Sequence, residues 1–123
     1  MRVLLTGATG FFGQAVLRAL SDSNQKIRCV IRSGSSDRLA SHAHRIEVVE
    51  TQDLFAQDCA WWTETCKDID LVIHAAWYAE PGKYLTSHLN LSCLASTLAL
   101  SEGALAARVS RVVGIGTCFE YDV

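Results

Sequence analysis

The sequence predicts an α/β domain whose parallel sheet is doubly wound, on three observations. Short β-branched runs alternate with helical stretches along the 123 residues. Several of those runs are continuously apolar, the pattern of strands buried on both faces. A glycine-rich turn, Gly7 to Gly13, joins the first run to the first helical stretch. Strand–helix alternation with right-handed crossovers gives one sheet sandwiched by helices. The strand order expected for such a sheet is 3-2-1-4-5, with a ligand crevice at its carboxyl edge between strands 1 and 4.

The elements follow in order. Arg2 to Thr6 (RVLLT) is compact and apolar, hence a strand. Phe11 to Asp22 places Val16, Leu17 and Leu20 at helical spacing, and Ser23-Asn24 stops the helix with turn chemistry. Lys26 to Ile31 is the second strand. Ser33 to Ser36 is a loop, and Asp37 to Ala43 has room for a short helix. Ile46 to Val49 is the third strand. Ala56 to Lys67 reads as a helix with Trp61 and Trp62 on or near its buried side. Leu71 to Ala76 (LVIHAA) is the fourth strand, and Pro81-Gly82 marks a turn. Tyr84 to Ala107 is a long helix, and Val109 to Ile115 the fifth strand.

Composition narrows the function classes. Half of the residues are hydrophobic and a fifth charged, which suits a globular domain with a real core. A net charge of -2 gives no basic footprint, so neither nucleic-acid nor anionic-membrane binding is predicted. The longest apolar-rich stretch, Tyr84 to Ala107, is broken by His88, Asn90 and Glu102. It falls short of the ~18 uncharged apolar residues of a membrane span. The five cysteines, Cys29, Cys59, Cys66, Cys93 and Cys118, are odd in number and show no CxxC spacing. They read as free, mostly buried thiols of a cytoplasmic protein, and the scattered Cys and His predict no metal site. The opening MRVLLTG is too short an apolar run for a secretory leader.

The glycine turn carries the chemistry. Gly7 permits the tight exit from the first strand. Gly10 lets the backbone approach a pyrophosphate with no Cβ in the way. Gly13 lets the helix lie close on the sheet. The helix N-terminus then offers unpaired N–H groups and a positive dipole end to phosphates. The segment Thr6-Gly7-Ala8-Thr9-Gly10-Phe11-Phe12-Gly13 resembles the TGxxGFxG signature of extended short-chain dehydrogenases/reductases, the NAD(P)-dependent epimerase/dehydratase group. The resemblance extends along essentially the whole chain. It implies a Rossmann-like fold and pyrophosphate contacts from the backbone around Phe11 and Phe12.

Further positions match that family's pattern. Arg32 stands where an acidic residue of the family meets the ribose hydroxyls of NAD. A guanidinium suits a 2′-phosphate, with Ser33 and Arg38 at hand, so the sequence favours NADP(H) over NAD(H). The alternative is a solvated strand-end charge. Asp53-Leu54 resembles the family's adenine-binding pair, and Asp53 also reads as a helix N-cap. His74-Ala75-Ala76 resembles the segment beside the nicotinamide ribose, and a structural role explains His74 equally well. Asn90 resembles the asparagine of the family's Asn-Val-x-Gly-Thr segment, without the glycine and threonine. Trp77, Tyr78 and Tyr84 lie where substrate would enter, or simply pack a loop. Gly82-Lys83 lacks the rest of a phosphate loop and is set aside.

Thr117, in Gly116-Thr117-Cys118-Phe119-Glu120-Tyr121, falls on the family's catalytic Ser/Thr. Its hydroxyl would contact a substrate alcohol or carbonyl and a developing oxyanion. The alternative is a strand-end threonine with no such role. No tyrosine has a lysine four residues on, so the YxxxK acid/base pair and the substrate-binding region are expected beyond Val123. The chain alone is then expected to be inactive. Leu85, Leu89, Leu98 and Leu105 are expected at the surface, which predicts a homodimer or higher oligomer. Three functions fit: the nucleotide-binding part of a nucleotide-sugar epimerase, dehydratase or 4-keto reductase; a non-enzymatic NADP(H) sensor; or a reductase of a non-sugar carbonyl.

Overall fold

A computed structural model of the chain describes residues 1–42 and 45–117. Five strands are present: β1 (Arg2–Thr6), β2 (Lys26–Arg32), β3 (Ile46–Thr51), β4 (Leu71–His74) and β5 (Arg111–Gly114). They alternate with the helices α1 (Phe11–Asp22), α2 (Cys59–Thr65) and α3 (Leu89–Ala106) and with two 3₁₀ turns, Ser36–His42 and Leu54–Ala56. Every neighbouring pair is parallel, and the order is β3-β2-β1-β4-β5. This is the Rossmann-like order the sequence predicts.

Strand pleating builds the two layers, because successive side chains point to opposite faces. Leu4 and Val30 face one side and meet Trp62, Cys66, Ile69, Val72, Leu100 and Ala104. Leu5, Cys29 and Ile31 face the other and meet Leu17 and Leu39. Full burial of one such side chain is worth roughly 1.5–3 kcal/mol. Exposed ion pairs such as Lys67–Glu64 and Lys83–Glu80 contribute about 0–1 kcal/mol each. The two apolar layers therefore hold the fold.

Helix ends carry specific devices. Asp58 accepts from the Trp61 amide at 2.8 Å and caps α2, which is why α2 begins at Cys59 and not at Ala56. The Arg28 guanidinium donates to the Thr65 and Lys67 carbonyls at 2.7 and 2.9 Å and closes the other end of α2. Asn24, directly after α1, has the left-handed φ of 59° that ends a helix.

Three further expectations are corrected. The long helix starts at Leu89 and not at Tyr84: the residues after Pro81 form turns, and the Ser87 hydroxyl accepts from the Leu89 amide at 3.1 Å. β4 ends at His74, because the Ala75 amide turns onto the Thr6 carbonyl and hydroxyl. The short helix expected over Asp37 to Ala43 is the 3₁₀ turn Ser36–His42. β5 is an apolar run, yet it is exposed throughout, and Val48 of β3 is exposed too. Both are edge strands, and β5 is exposed on both faces.

Against the sequence expectation, α3 is long and apolar enough to cross a membrane by length and composition, its one charged residue being Glu102. In this fold Cys93, Ser96, Leu100, Gly103 and Ala104 turn inward. Leu91, Leu94, Leu98 and Leu105 remain exposed, as does Leu85 ahead of the helix. The described cysteines Cys29, Cys59, Cys66 and Cys93 are free thiols. Burial pushes Cys29 up to about 12 and Cys66 to about 11, so both stay protonated.

α3 lies on α2 at Gly103, where an added Cβ would stand 2.5 Å from the Trp62 Cβ and 2.8 Å from the Thr63 amide nitrogen. Gly103→Ala is expected to force the two helices apart and cost about 1–3 kcal/mol in urea unfolding. An unchanged midpoint would show that the helices separate freely.

Candidate functional site

The β1–α1 turn is shaped by two close approaches. Gly7 has φ +74°, and a Cβ there would lie 2.7 Å from the Ala75 carbonyl carbon after β4. A Cβ on Gly13 would lie 1.8 Å from the Gly7 carbonyl oxygen. The first turn of α1 therefore rests directly on the strand exit, and the strand exit on the segment after β4. Gly10 is different, since a Cβ there would meet only the Gly7 oxygen at 3.4 Å, an ordinary contact. Its open side faces the cleft.

Gly10 caps α1 without a side-chain hydrogen bond. The opening amides of a helix have no partner within it, so they present donors and a partial positive charge outward. The turn itself is braced by Gln14, whose Nε2 donates to the Thr9 carbonyl at 3.0 Å.

In front of this corner lies a cleft of about 800 Å³. Its walls include Gly7, Gly10, Phe11, Phe12 and Gly13 from the turn, Arg32 and Ser33 after β2, Asp53 and Leu54 after β3, and Ala75, Ala76 and Trp77 after β4. It sits at the carboxyl ends of the strands, where the strand order reverses. A second, shallow concavity of about 720 Å³ lies at the opposite edge, around Met1, Asn24, Asp68 and Arg108. It faces the helix C-termini and lacks the amide donors of the first.

Most of the residues singled out in the sequence converge on the cleft. Arg32 and Ser33 are exposed on its wall, and Arg38 stands nearby on the same lining. Among the described residues neither guanidinium enters an ion pair. Asp53 lines the cleft while its Oδ1 accepts from the Phe55 amide at 2.9 Å, so it also caps the 3₁₀ turn. Leu54 lines the cleft and packs against the core. Phe11 is 99% exposed, a large apolar surface at the mouth.

Five singled-out residues, His74, Tyr78, Tyr84, Asn90 and Thr117, stand apart from the lining. His74 is buried behind the wall, with Nδ1 2.7 Å from the Thr6 hydroxyl and Nε2 3.0 Å from the Thr97 hydroxyl. Asn90 accepts from the Trp77 indole N–H at 2.7 Å and donates to the Tyr84 carbonyl at 2.6 Å, which ties the aromatic loop together. Thr117 is exposed just past β5, on the same edge of the sheet. Cys118 to Tyr121, part of the expected catalytic segment, lie outside the described residues. Sequence reading missed Gln14, Thr6, Cys93 and Thr97. Thr6 carried a legible signal: a hydroxyl ending an otherwise apolar strand needs a buried partner.

A parallel 3-2-1-4-5 sheet with a glycine turn at its switch point defines a Rossmann-like domain. The sequence model of the NAD dependent epimerase/dehydratase family matches residues 3–123, and the chain belongs to that family. Among solved structures, MoeE5 in complex with UDP-glucose and NAD is 28% identical, with a TM-score of 0.73 over 96% of this chain and 37% of that one. UDP-glucose-4-epimerase from Stenotrophomonas maltophila, with bound NAD and formylated UDP-arabinopyranose, is 20% identical with a TM-score of 0.78. That likeness covers 97% of this chain and 38% of the epimerase. Yeast methylglyoxal/isovaleraldehyde reductase complexed with NADPH is 20% identical, with a TM-score of 0.72 over 93% of this chain and 37% of the reductase. The chain thus spans well under half the length of these three proteins. No curated protein sequence matches.

Burial lowers the His74 pKa from 6.5 to about 4, so the imidazole is neutral in the fold. The unfolded chain takes up this proton near pH 6.5 and the folded chain only near pH 4. Between those values the unfolded state binds the extra proton, so stability falls as pH drops from 6.5 to 4. The loss attributable to His74 is at most about 3 kcal/mol, and none of it is present above pH 6.5. His74→Asn is expected to flatten the dependence of the urea midpoint on pH across this window. Equal slopes in the two proteins would contradict the assignment.

Proposed function

We propose that the chain is the nucleotide-binding portion of a longer NAD(P)-dependent enzyme acting on a nucleotide-linked sugar. The carrying observation is the cleft itself: helix-start amides on one wall, a ribose-side arginine on another, and small residues after β4. The amides of Phe11, Phe12 and Gly13 would hold the pyrophosphate, with Gly10 keeping the approach clear. Asp53 and Leu54 would hold the adenine, and Ala75 and Ala76 would leave room for the nicotinamide ribose. The bound dinucleotide supplies hydride transfer. The chain's own contribution is to bind, orient and shield it. Thr117 presents a hydroxyl to the substrate alcohol or carbonyl at the neighbouring strand end. Asn90 acts on this site through the loop that carries Trp77. The likeness to MoeE5 with UDP-glucose and NAD, at 28% identity, supports the nucleotide-sugar class.

Arg32 favours NADP(H) over NAD(H). A second reading, a reductase of a non-sugar carbonyl, draws on the same arginine and on the likeness to the NADPH-bound yeast reductase. Titration of the purified chain with NADPH and NADH tests the cofactor reading. NADPH is expected to bind more tightly, and Arg32→Ala to weaken NADPH about tenfold while leaving NADH nearly unchanged. Equal losses for both nucleotides would remove Arg32 from 2′-phosphate recognition. Absence of any binding would remove the dinucleotide reading for this chain.

Leu91, Leu94, Leu98 and Leu105 recur at helical spacing on one exposed face of α3. Self-association through that face belongs to the same proposal. Sedimentation velocity is expected to give a dimer or higher species, and Leu94→Glu with Leu98→Glu a monomer. A monodisperse native monomer would contradict it.

A further inference from the structure

The segment that leaves β4 is held by α3 at three points, spaced one helical turn apart. Asn90 accepts from the Trp77 indole at 2.7 Å. The Cys93 Sγ accepts from the Tyr78 amide at 3.3 Å. Thr97 Oγ1 stands 3.0 Å from His74 Nε2. Positions 90, 93 and 97 share one helix face, so a single stripe of α3 grips His74, Trp77 and Tyr78.

The innermost contact has a determined direction. The Ala75 and Ala76 amides both donate to Thr6 Oγ1, at 3.1 Å each. Those two donors occupy the lone pairs of the hydroxyl oxygen, so its own proton goes to His74 Nδ1 at 2.7 Å. Nδ1 is then the acceptor nitrogen, and Nε2 carries the ring proton. Nε2–H donates to Thr97 Oγ1, whose proton in turn goes to the Cys93 carbonyl at 2.8 Å. Reversing the series would put three donors on Thr6 Oγ1 and leave its proton without an acceptor.

We infer that Thr97 and His74 are positioning residues of the cleft: through one neutral Nε2–H imidazole they orient the Thr6 hydroxyl, and the Thr6 hydroxyl fixes the Ala75 and Ala76 amides. Neither residue touches the cleft. They set where its Ala75–Ala76 wall stands relative to Gly7, whose Cα approaches that same backbone. Burial, which keeps His74 neutral to about pH 4, preserves the series at neutral pH. The inference rests on the dinucleotide reading for its consequence, but the hydrogen-bond series can be measured without any nucleotide.

Long-range proton–nitrogen correlation on chain labelled with ¹⁵N-histidine reads the tautomer at pH 7. The expected result is an unprotonated Nδ1 and a protonated Nε2 for His74. A protonated Nδ1 would overturn the inference. Thr97→Val keeps the side-chain shape and removes the acceptor, and Thr97→Ser restores it. Thr97→Val is expected to speed exchange of the Ala76 amide about threefold to tenfold and to weaken NADPH by a similar factor, while the Ala75 amide keeps its bond to the Thr6 carbonyl. Thr97→Ser is expected to behave as the native sequence. Unchanged Ala76 amide exchange in a folded Thr97→Val chain would also overturn the inference. If the native chain shows the expected tautomer and amide response but binds no dinucleotide, the series stands and the cofactor reading falls.

Discussion

The close stacking of three backbone segments, rather than any side-chain contact, is the constraint on which this structure depends. The Gly7 carbonyl lies under the first turn of α1 at Gly13, and the Gly7 Cα lies against Ala75 after β4. Two side chains are excluded so that β1, α1 and the exit of β4 can meet at one corner. That corner is the switch point of the sheet, and the cleft opens from it. The arrangement aims helix-start amides outward, which is the physical basis for anion binding in this fold.

Polar groups near the corner serve placement more than chemistry. Gln14 braces the turn, Thr6 joins β1 to the backbone after β4, and Asn90 joins Trp77 to Tyr84. Each of these side chains makes its hydrogen bonds to other parts of the protein. The groups that remain turned to the cleft are main-chain amides, small side chains, Arg32, Ser33 and the outer face of Asp53. A surface of that kind suits a ligand with phosphates, sugar hydroxyls and flat rings. Membership of the epimerase/dehydratase family agrees with it.

α3 serves three surroundings at once. One stripe, Ser96, Leu100, Gly103 and Ala104, packs inward on the sheet and α2. A second, Asn90, Cys93 and Thr97, grips the segment after β4. A third, Leu91, Leu94, Leu98 and Leu105, stays exposed. Apolar residues therefore occupy both the inward and the exposed stripe. This explains why the helix has the hydropathy of a membrane span while lying on the side of a parallel sheet.

The sequence by itself determined the strand order, β1, α1 and the cleft's glycine corner. Those features rest on local signals: apolar runs, helical spacing, and glycines where no Cβ fits. It also brought Arg32, Ser33, Asp53, Leu54, Ala75 and Ala76 to one edge, because parallel strands deliver all their carboxyl ends together. Tertiary structure alone decided the rest. The exposure of β5 depended on what packs beside it, which no local window records. The role of His74 required Thr6 and Thr97, 68 and 23 residues away, to meet its two ring nitrogens. Hydrogen bonds between residues so far apart in the chain exist only once the sheet and helix have closed on each other.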